Sequence, residues 1–331
     1  MILVVGANGF LGSELSESLS KNKINFIKID KTLSGKEKID INKKNELELI
    51  FKHNKIDTII NCACEPATSK SKKKIWETNV FANKNFLEFS EKYSVKKYIF
   101  ISTSAIWVKD YQFFVDELTP TNPVEIYGKS KVKAEEDIES STLKNWTIFR
   151  VPMIVSERRL GVLSILFDFI IDNKKIPLIG NGSNKLQFIH IDDLIEFIIK
   201  SLNISEKEKY NLASDEILTL KELIDKLILS IESKSKIILF KDLGYLFLLS
   251  ILNKINLSPL NVYHLKMLKY SLTMDTNKIK KNYNLSPKIN TSSMMIDALI
   301  AYKNKKYLSG SKTEITAPVK MGILKVISFF L

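Results

Sequence analysis

The sequence predicts an α/β protein: a doubly wound parallel sheet followed by a smaller, mostly helical C-terminal domain. Three observations carry this. Strand-like and helix-like segments alternate through the first 151 residues. The strand-like runs, such as Ile2-Leu3-Val4-Val5, are continuous apolar stretches, as strands covered on both faces require. Beyond Pro152 that rhythm stops. At 331 residues the chain is long enough for a full core, in one large domain or two unequal ones.

The first strand breaks into Gly6-Ala7-Asn8-Gly9-Phe10-Leu11-Gly12 and then into a helical pattern. Residues 25–30 read as the second strand, ended by Asp30. Asp40-Ile41 follows, and then a helix over about 43–53. Residues 57–63 form a buried strand that runs into Asn61-Cys62-Ala63, and a long helix covers about 75–93. The strand at 97–104 ends in the hydroxyls Ser102, Thr103 and Ser104. A helix at about 124–140 and a strand at 146–151 complete the alternation. Later come a helix at 163–171, an extended piece at 176–179, the turn Gly180-Asn181-Gly182-Ser183 and a helix ending near Lys200. A strand is expected at 209–213 and a helix at 219–231, opened by the capping box Thr219-Leu220-Lys221-Glu222. Residues 236–272 are unusually apolar but interrupted by Asn, Pro and Lys. The divisions expected are 1–152 (with 188–213), then 153–187 with 214–305, and a tail at 306–331.

The strand–glycine turn–helix at the N-terminus is built for a pyrophosphate. Gly6, Gly9 and Gly12 let the backbone turn tightly and approach the ligand, and the helix N-terminus favours its charge. Asp30, at the end of the next strand, is placed to accept hydrogen bonds from the adenosine ribose and would repel a 2′-phosphate. These residues predict a Rossmann-like dinucleotide site and favour NAD over NADP. A second signal is Tyr127-Gly128-Lys129-Ser130-Lys131. Tyr127 and Lys131, four apart, share one helix face, where an ammonium can stabilise the phenolate of an otherwise weak base. The tyrosine then moves a proton while a cofactor moves a hydride. The hydroxyls at 102–104 sit at a strand C-terminus, where ligand crevices of parallel sheets lie.

In this order the motifs resemble those of extended short-chain dehydrogenases/reductases. They are most similar to the NAD-dependent epimerase/dehydratase (nucleoside-diphosphate-sugar epimerase) branch. Asn79-Val80, Phe188-Ile189-His190-Ile191-Asp192-Asp193, Asn211-Leu212-Ala213, Asp275-Thr276-Asn277-Lys278 and Leu285-Ser286-Pro287-Lys288 continue the match over about residues 1–305. The resemblance implies Tyr127 as acid/base, Lys131 as the partner that binds the nicotinamide ribose and lowers the Tyr127 pKa, and Ser104 as the holder of the reacting oxygen. It implies NAD contacts from Gly6, Asn8, Gly9, Phe10, Leu11, Gly12, Asp30, Asp40, Ile41, Cys62, Ala63, Asn79, Tyr127, Lys131 and Pro152. It also implies a homodimer through the helices near 75–93 and 124–140, and a structural rather than catalytic His190. Two departures stand out. Ser104-Ala105-Ile106 lacks the acidic pair of the 4,6-dehydratases, which argues against dehydration. Leu186 replaces an arginine that contacts the substrate diphosphate, leaving Lys185, Arg158 or Arg159 for that task.

The reading that follows is an NAD-dependent epimerase acting on a nucleoside-diphosphate sugar through a transient ketone. The alternative is a NAD(P)-dependent ketoreductase or dehydrogenase of a nucleotide sugar or a lipid- or steroid-like alcohol, suggested by the apolar stretch 243–252. The net charge of +13 comes with no nucleic-acid motif, and forty-seven of the fifty basic residues are lysines spread along the chain, so no nucleic acid is expected. Cys62 and Cys64 read as small buried residues at a strand end, and no metal site is expected. With a strand starting at residue 2 and no apolar run of about 18 residues, a cytoplasmic protein is expected. Residues 322–331, with Lys320 and Lys325 placed to meet anionic headgroups, read either as an interfacial helix making peripheral membrane contact or as a segment docked on protein.

Overall fold

The computed structural model describes residues 1–158, 160–240 and 262–308. Twelve strands are described: β1 Ile2–Val5, β2 Phe26–Ile29, β3 Thr58–Asn61, β4 Lys97–Thr103, β5 Asn145–Val151, β6 Met153–Val155, β7 Ile176–Ile179, β8 Lys185–Leu186, β9 Phe188–His190, β10 Lys207–Asn211, β11 Leu218–Thr219 and β12 Ile237–Phe240. The helices are α1 Phe10–Lys21, α2 Lys44–His53, α3 Lys72–Trp76, α4 Ala82–Lys92, α5 Ile126–Glu139, α6 Leu163–Ile171, α7 Ile191–Ser201, α8 Leu220–Ser230, α9 Val262–Met267, α10 Asn277–Tyr283 and α11 Thr291–Leu308.

Six strands make one parallel sheet in the order β10-β5-β4-β3-β1-β2. Its apolar runs are buried on both faces because helices cover both. Val4, Ile60, Ile99 and Phe149 pack against α1 and α7, while Leu3, Ile59, Tyr98 and Ile148 pack against α2, α4 and α5. The chain leaves β1 for β2 on one side and returns to β3 on the other. This reversal opens a crevice at the strand C-termini. A separate cluster fills the second lobe, where α6, α8 and α11 close on β7 through Phe167, Leu178, Leu223 and Met295.

Three differences from the sequence reading have local causes. The expected helix at 75–93 starts at Lys72, where Ser71 caps it by accepting from the Lys74 N–H. It also carries a π-helical turn at Glu77–Phe81. β3 stops at Asn61, so the strand alternation does not reach Cys64, which is exposed rather than buried; Cys62 is intermediate. Ser104 stands one residue past β4, in a 3-10 turn. The Thr219–Glu222 capping box forms as read. No helix among the described residues is long and apolar enough to cross a membrane. The stretch 243–252, Arg159 and the segment 322–331 lie outside the described residues.

Candidate active site

A cleft of about 590 Å³ runs along the C-terminal ends of β1, β3, β4 and β5. Its first wall is the glycine turn. Gly6 adopts a left-handed φ of +75°, and its N–H and that of Ala7 are held by the Ile29 carbonyl. Gly12 packs so closely that an added Cβ would lie 2.2 Å from the Gly6 oxygen. This contact seats α1 against the loop. The α1 N-cap is Gly9, which supplies no side-chain cap, so no capping side chain stands between this helix N-terminus and a ligand. Asp30 lines the cleft and accepts from Thr32 at its N–H (2.9 Å) and hydroxyl (2.6 Å) and from the Asn8 N–H (3.4 Å). Asp40 and Ile41 line it further out, with Asp40 turned by its bond from the Asn42 N–H. A turned glycine loop, an uncapped helix and a carboxylate at the end of β2 fit the pyrophosphate and ribose of a dinucleotide.

The opposite wall carries the hydroxyls of Ser104 and Tyr127 and the ammonium of Lys131. Tyr127 lies in the first turn of α5. Gly128 lets that turn approach: an added Cβ would meet the Ala105 carbonyl oxygen at 2.6 Å. The approach brings Tyr127 to the same wall as Ser104, and both line the cleft. Lys131, one helical turn on, is buried. Its ammonium donates to the Ile101 carbonyl at 2.8 Å and stands 4.5 Å from the Phe100 ring centroid. It is therefore fixed at the end of β4. Burial holds the Tyr127 phenol well above its ordinary range. The Cys64 sulfur, 3.9 Å away, adds to this, and a hydrogen bond with Thr103 opposes it. Burial in the cleft wall pushes the Cys62 thiol up to about 12.

Of the expected cofactor residues, Gly6, Gly9, Phe10, Leu11, Asp30, Asp40, Ile41, Cys62, Ala63, Tyr127, Lys131 and Pro152 line this one cleft. Asn8, Gly12 and Asn79 are not among the residues that line it. Asn8 is exposed and donates to Thr32 at 2.8 Å. Asn79 is 3% exposed. Its amide accepts from the Glu65 N–H at 2.9 Å and donates to Ser130 at 3.0 Å, tying the loop after β3 to α5. The π turn aims it inward, in keeping with the frequent placement of such turns at functional sites. Ser102 donates to the buried Glu135, which pairs with Arg150 at 2.6 Å, so this hydroxyl braces the strand end. His190 is the N-cap of α7, accepting from the Asp192 N–H, as a structural histidine should. Arg158 is engaged with Glu14 (2.7 Å) and Glu17 (3.5 Å) on α1, which leaves it poorly placed for a substrate diphosphate.

Three contributors gave no sequence signal that the motifs could reveal. Cys64 stands beside the Tyr127 hydroxyl. Gly128 reads only as a spacer inside its motif. Tyr263 of α9 hydrogen-bonds Ser104 from 159 positions downstream, and burial raises its own phenol. Among the described residues no group of acidic, histidine or cysteine side chains is gathered for a metal ion.

Comparison with known proteins places residues 2–213 within the model of the NAD dependent epimerase/dehydratase family. A putative UDP-glucose 4-epimerase of Methanocaldococcus jannaschii is 28% identical over 247 residues, 68% of this chain and 80% of that one. The N-acetyl-alpha-D-glucosaminyl-diphospho-ditrans,octacis-undecaprenol 4-epimerase of Escherichia coli O157:H7 is 27% identical over 333 residues, 95% of this chain and 98% of that one. The UDP-glucose 4-epimerase of Thermotoga maritima, solved with UDP-glucose, superposes with a TM-score of 0.75. It shares 19% identity and covers 93% of this chain and 99% of that one.

Proposed function

Since the chain belongs to the NAD dependent epimerase/dehydratase family, with NAD as its cofactor, we propose that it is an epimerase that inverts one carbon of a diphosphate-linked sugar, a nucleoside-diphosphate sugar in the first instance. NAD in the cleft supplies a hydride acceptor that can return the hydride. The chain's residues do the rest. Ser104 orients the reacting hydroxyl, and Tyr127 takes its proton as the carbon is oxidised. Lys131, held at the end of β4, is the cation this reading assigns to the phenolate, with burial working against it. The resulting ketone turns within the cleft, and Tyr127 returns the proton when the other face is reduced.

The observation that carries this reading is the convergence of Ser104, Tyr127 and Lys131 on the cleft wall facing the glycine loop. The residues after Ser104 support epimerisation over dehydration. Ala105 and Ile106 are buried and apolar, so this turn presents no second acid–base group for removing a hydroxyl. The relatives bear names of 4-epimerases acting on a nucleotide sugar and on a lipid-diphosphate sugar.

The test is incubation of the NAD-loaded protein with diphosphate sugars, followed by NMR of the sugar ring. An epimer forms without net NADH. Tyr127→Phe lowers turnover by about a thousandfold, in the range of acid–base catalysis, and leaves NAD affinity intact. Stoichiometric NADH would replace epimerisation by a dehydrogenase, and turnover retained in Tyr127→Phe would remove the tyrosine from its role.

A further inference from the structure

A second cavity of about 240 Å³ adjoins the cleft. Ser104, Pro152, Met153, Val162 and Tyr263 line both spaces. Of these, Ser104 and Tyr263 carry hydroxyls, and the two are hydrogen-bonded to each other. Tyr263 thus stands at the boundary of cleft and cavity, on the residue assigned to the reacting oxygen. The reaction scheme above gives it no task.

Its place is set by packing from both lobes. Tyr263 lies one helical turn before Met267 on α9. The Asn184 amide donates to the Met267 carbonyl at 2.8 Å, and Met267 is buried with Ile106, Trp107 and Val108, just beyond Ser104. The Tyr263 ring packs against that same cluster. Two phenols therefore meet the end of β4 through adjacent hydroxyls, Tyr127 at Thr103 and Tyr263 at Ser104.

Their charged surroundings differ. Tyr127 shares a helix face with the Lys131 ammonium. The charged side chain that acts on Tyr263 is Glu125, an anion. Burial first, and Glu125 besides, hold the Tyr263 phenol above its ordinary range, while the bond to Ser104 opposes them. Tyr263 keeps its proton. A phenol is more acidic than an alkyl hydroxyl, so in such a pair the phenol donates and the serine oxygen accepts. A serine hydroxyl has one hydrogen to give. With Oγ accepting from Tyr263 on one side, that hydrogen turns to a different acceptor, and the cleft is where a substrate oxygen stands.

We propose that Tyr263 is a positioning residue: by donating to Ser104 Oγ, it makes the Ser104 hydroxyl a fixed donor to the reacting oxygen. The inference rests on the epimerase reading for the reaction, and on the Ser104–Tyr263 pair for the role. The reacting oxygen needs a donor throughout. As an alcohol it gives its own proton to Tyr127, and as a ketone it has only lone pairs. A donor aimed at it gains strength as charge gathers on that oxygen, so the pair acts on the barrier more than on binding.

The test compares the full-length, NAD-loaded wild type with Tyr263→Phe, Ser104→Ala and the double variant by steady-state kinetics. Phenylalanine keeps the ring in the wall and removes the hydroxyl. In Tyr263→Phe kcat falls about tenfold and KM is unchanged. In the Ser104→Ala background the same substitution costs nothing further, because no Oγ remains to be aimed. Unchanged kcat in Tyr263→Phe overturns the proposal, as does a loss carried by KM. An equal further loss in the Ser104→Ala background would make Tyr263 a packing residue only. A measurement without turnover covers a variant that fails to fold. In protein labelled with a stable carbon isotope at the tyrosine Cζ, Ser104→Ala moves a resonance other than that of Tyr127, which Tyr127→Phe identifies. No such movement overturns the pair. Stoichiometric NADH from the wild type would remove the epimerase and leave the pair, whose effect is then read on that oxidation. Epimer formed as fast by Tyr263→Phe as by the wild type would do the reverse.

Discussion

The two ends of the cleft are built differently. The cofactor end is polar and local: seven consecutive residues and the end of the adjacent strand supply the turn, the helix N-terminus and the carboxylate. The cavity of about 240 Å³ that adjoins the cleft beyond Ser104 is apolar and dispersed. Its walls come from residues 104 to 295, contributed by α6, α8, α9, α11 and strands of the second lobe. A dinucleotide presents the same pyrophosphate and ribose to every enzyme that uses it, so a short backbone motif suffices. A substrate is distinguished by its bulk and polarity, and those are matched by a packed wall. Between the two ends stand Ser104 and Tyr127, held together by a single close approach at Gly128.

If the ends are separable, substitutions should break them separately. The largest effect is expected from Gly12→Val. A Cβ 2.2 Å from the Gly6 oxygen must push α1 away from the loop, a strain of about 1–3 kcal/mol that also displaces the first-turn N–H groups. NAD affinity falls about a hundredfold, equivalent to ~2.7 kcal/mol. Isothermal titration with NAD checks this, and an unchanged affinity would mean that the loop absorbs the side chain without moving α1. Gly128→Ala acts between them. The new methyl meets the Ala105 carbonyl, α5 shifts, and Tyr127 leaves its alignment with Ser104. Turnover falls by about ten- to a hundredfold, as small misplacements of reacting groups do. NAD still binds, and steady-state kinetics beside titration separates loss of turnover from loss of cofactor.

This asymmetry also explains what the sequence disclosed. The sheet was legible because Ile2–Val5, Lys97–Thr103 and Asn145–Val151 must be apolar on both faces. The glycine turn, Asp30 and the Tyr127–Lys131 pair were legible because each acts at fixed spacing within one or two elements. The apolar cavity was not legible. Leu166, Leu178, Leu223 and Met295 carry the same signal whether they fill a core or line a space, and only their arrangement tells the two apart. Cys64 was read as a buried strand residue because the alternation gives no sign that β3 ends at Asn61. Arg158 was read as a candidate for the diphosphate because its partners on α1 lie 144 and 141 positions away.

The smallest effect tests the boundary between the ends most finely. Cys64 enters the cleft from the cofactor side and reaches the Tyr127 hydroxyl of the catalytic wall at 3.9 Å. Burial first, and the sulfur second, raise the Tyr127 phenol. In the role proposed for it Tyr127 acts as a base only when ionised, so a raised value moves the acid limb of the kcat/KM profile to higher pH. Replacing the sulfur removes one of the raising contributions and leaves burial and the Thr103 bond in place. Cys64→Ala therefore shifts the acid limb to lower pH and increases kcat/KM below the limb, with the alkaline plateau and NAD affinity unchanged. A limb that stays fixed would show that the loop after β3 shapes the cofactor end alone. A shift would show that this loop, tied to α5 through Asn79, Glu65 and Ser130, sets the proton affinity of the tyrosine proposed as acid and base.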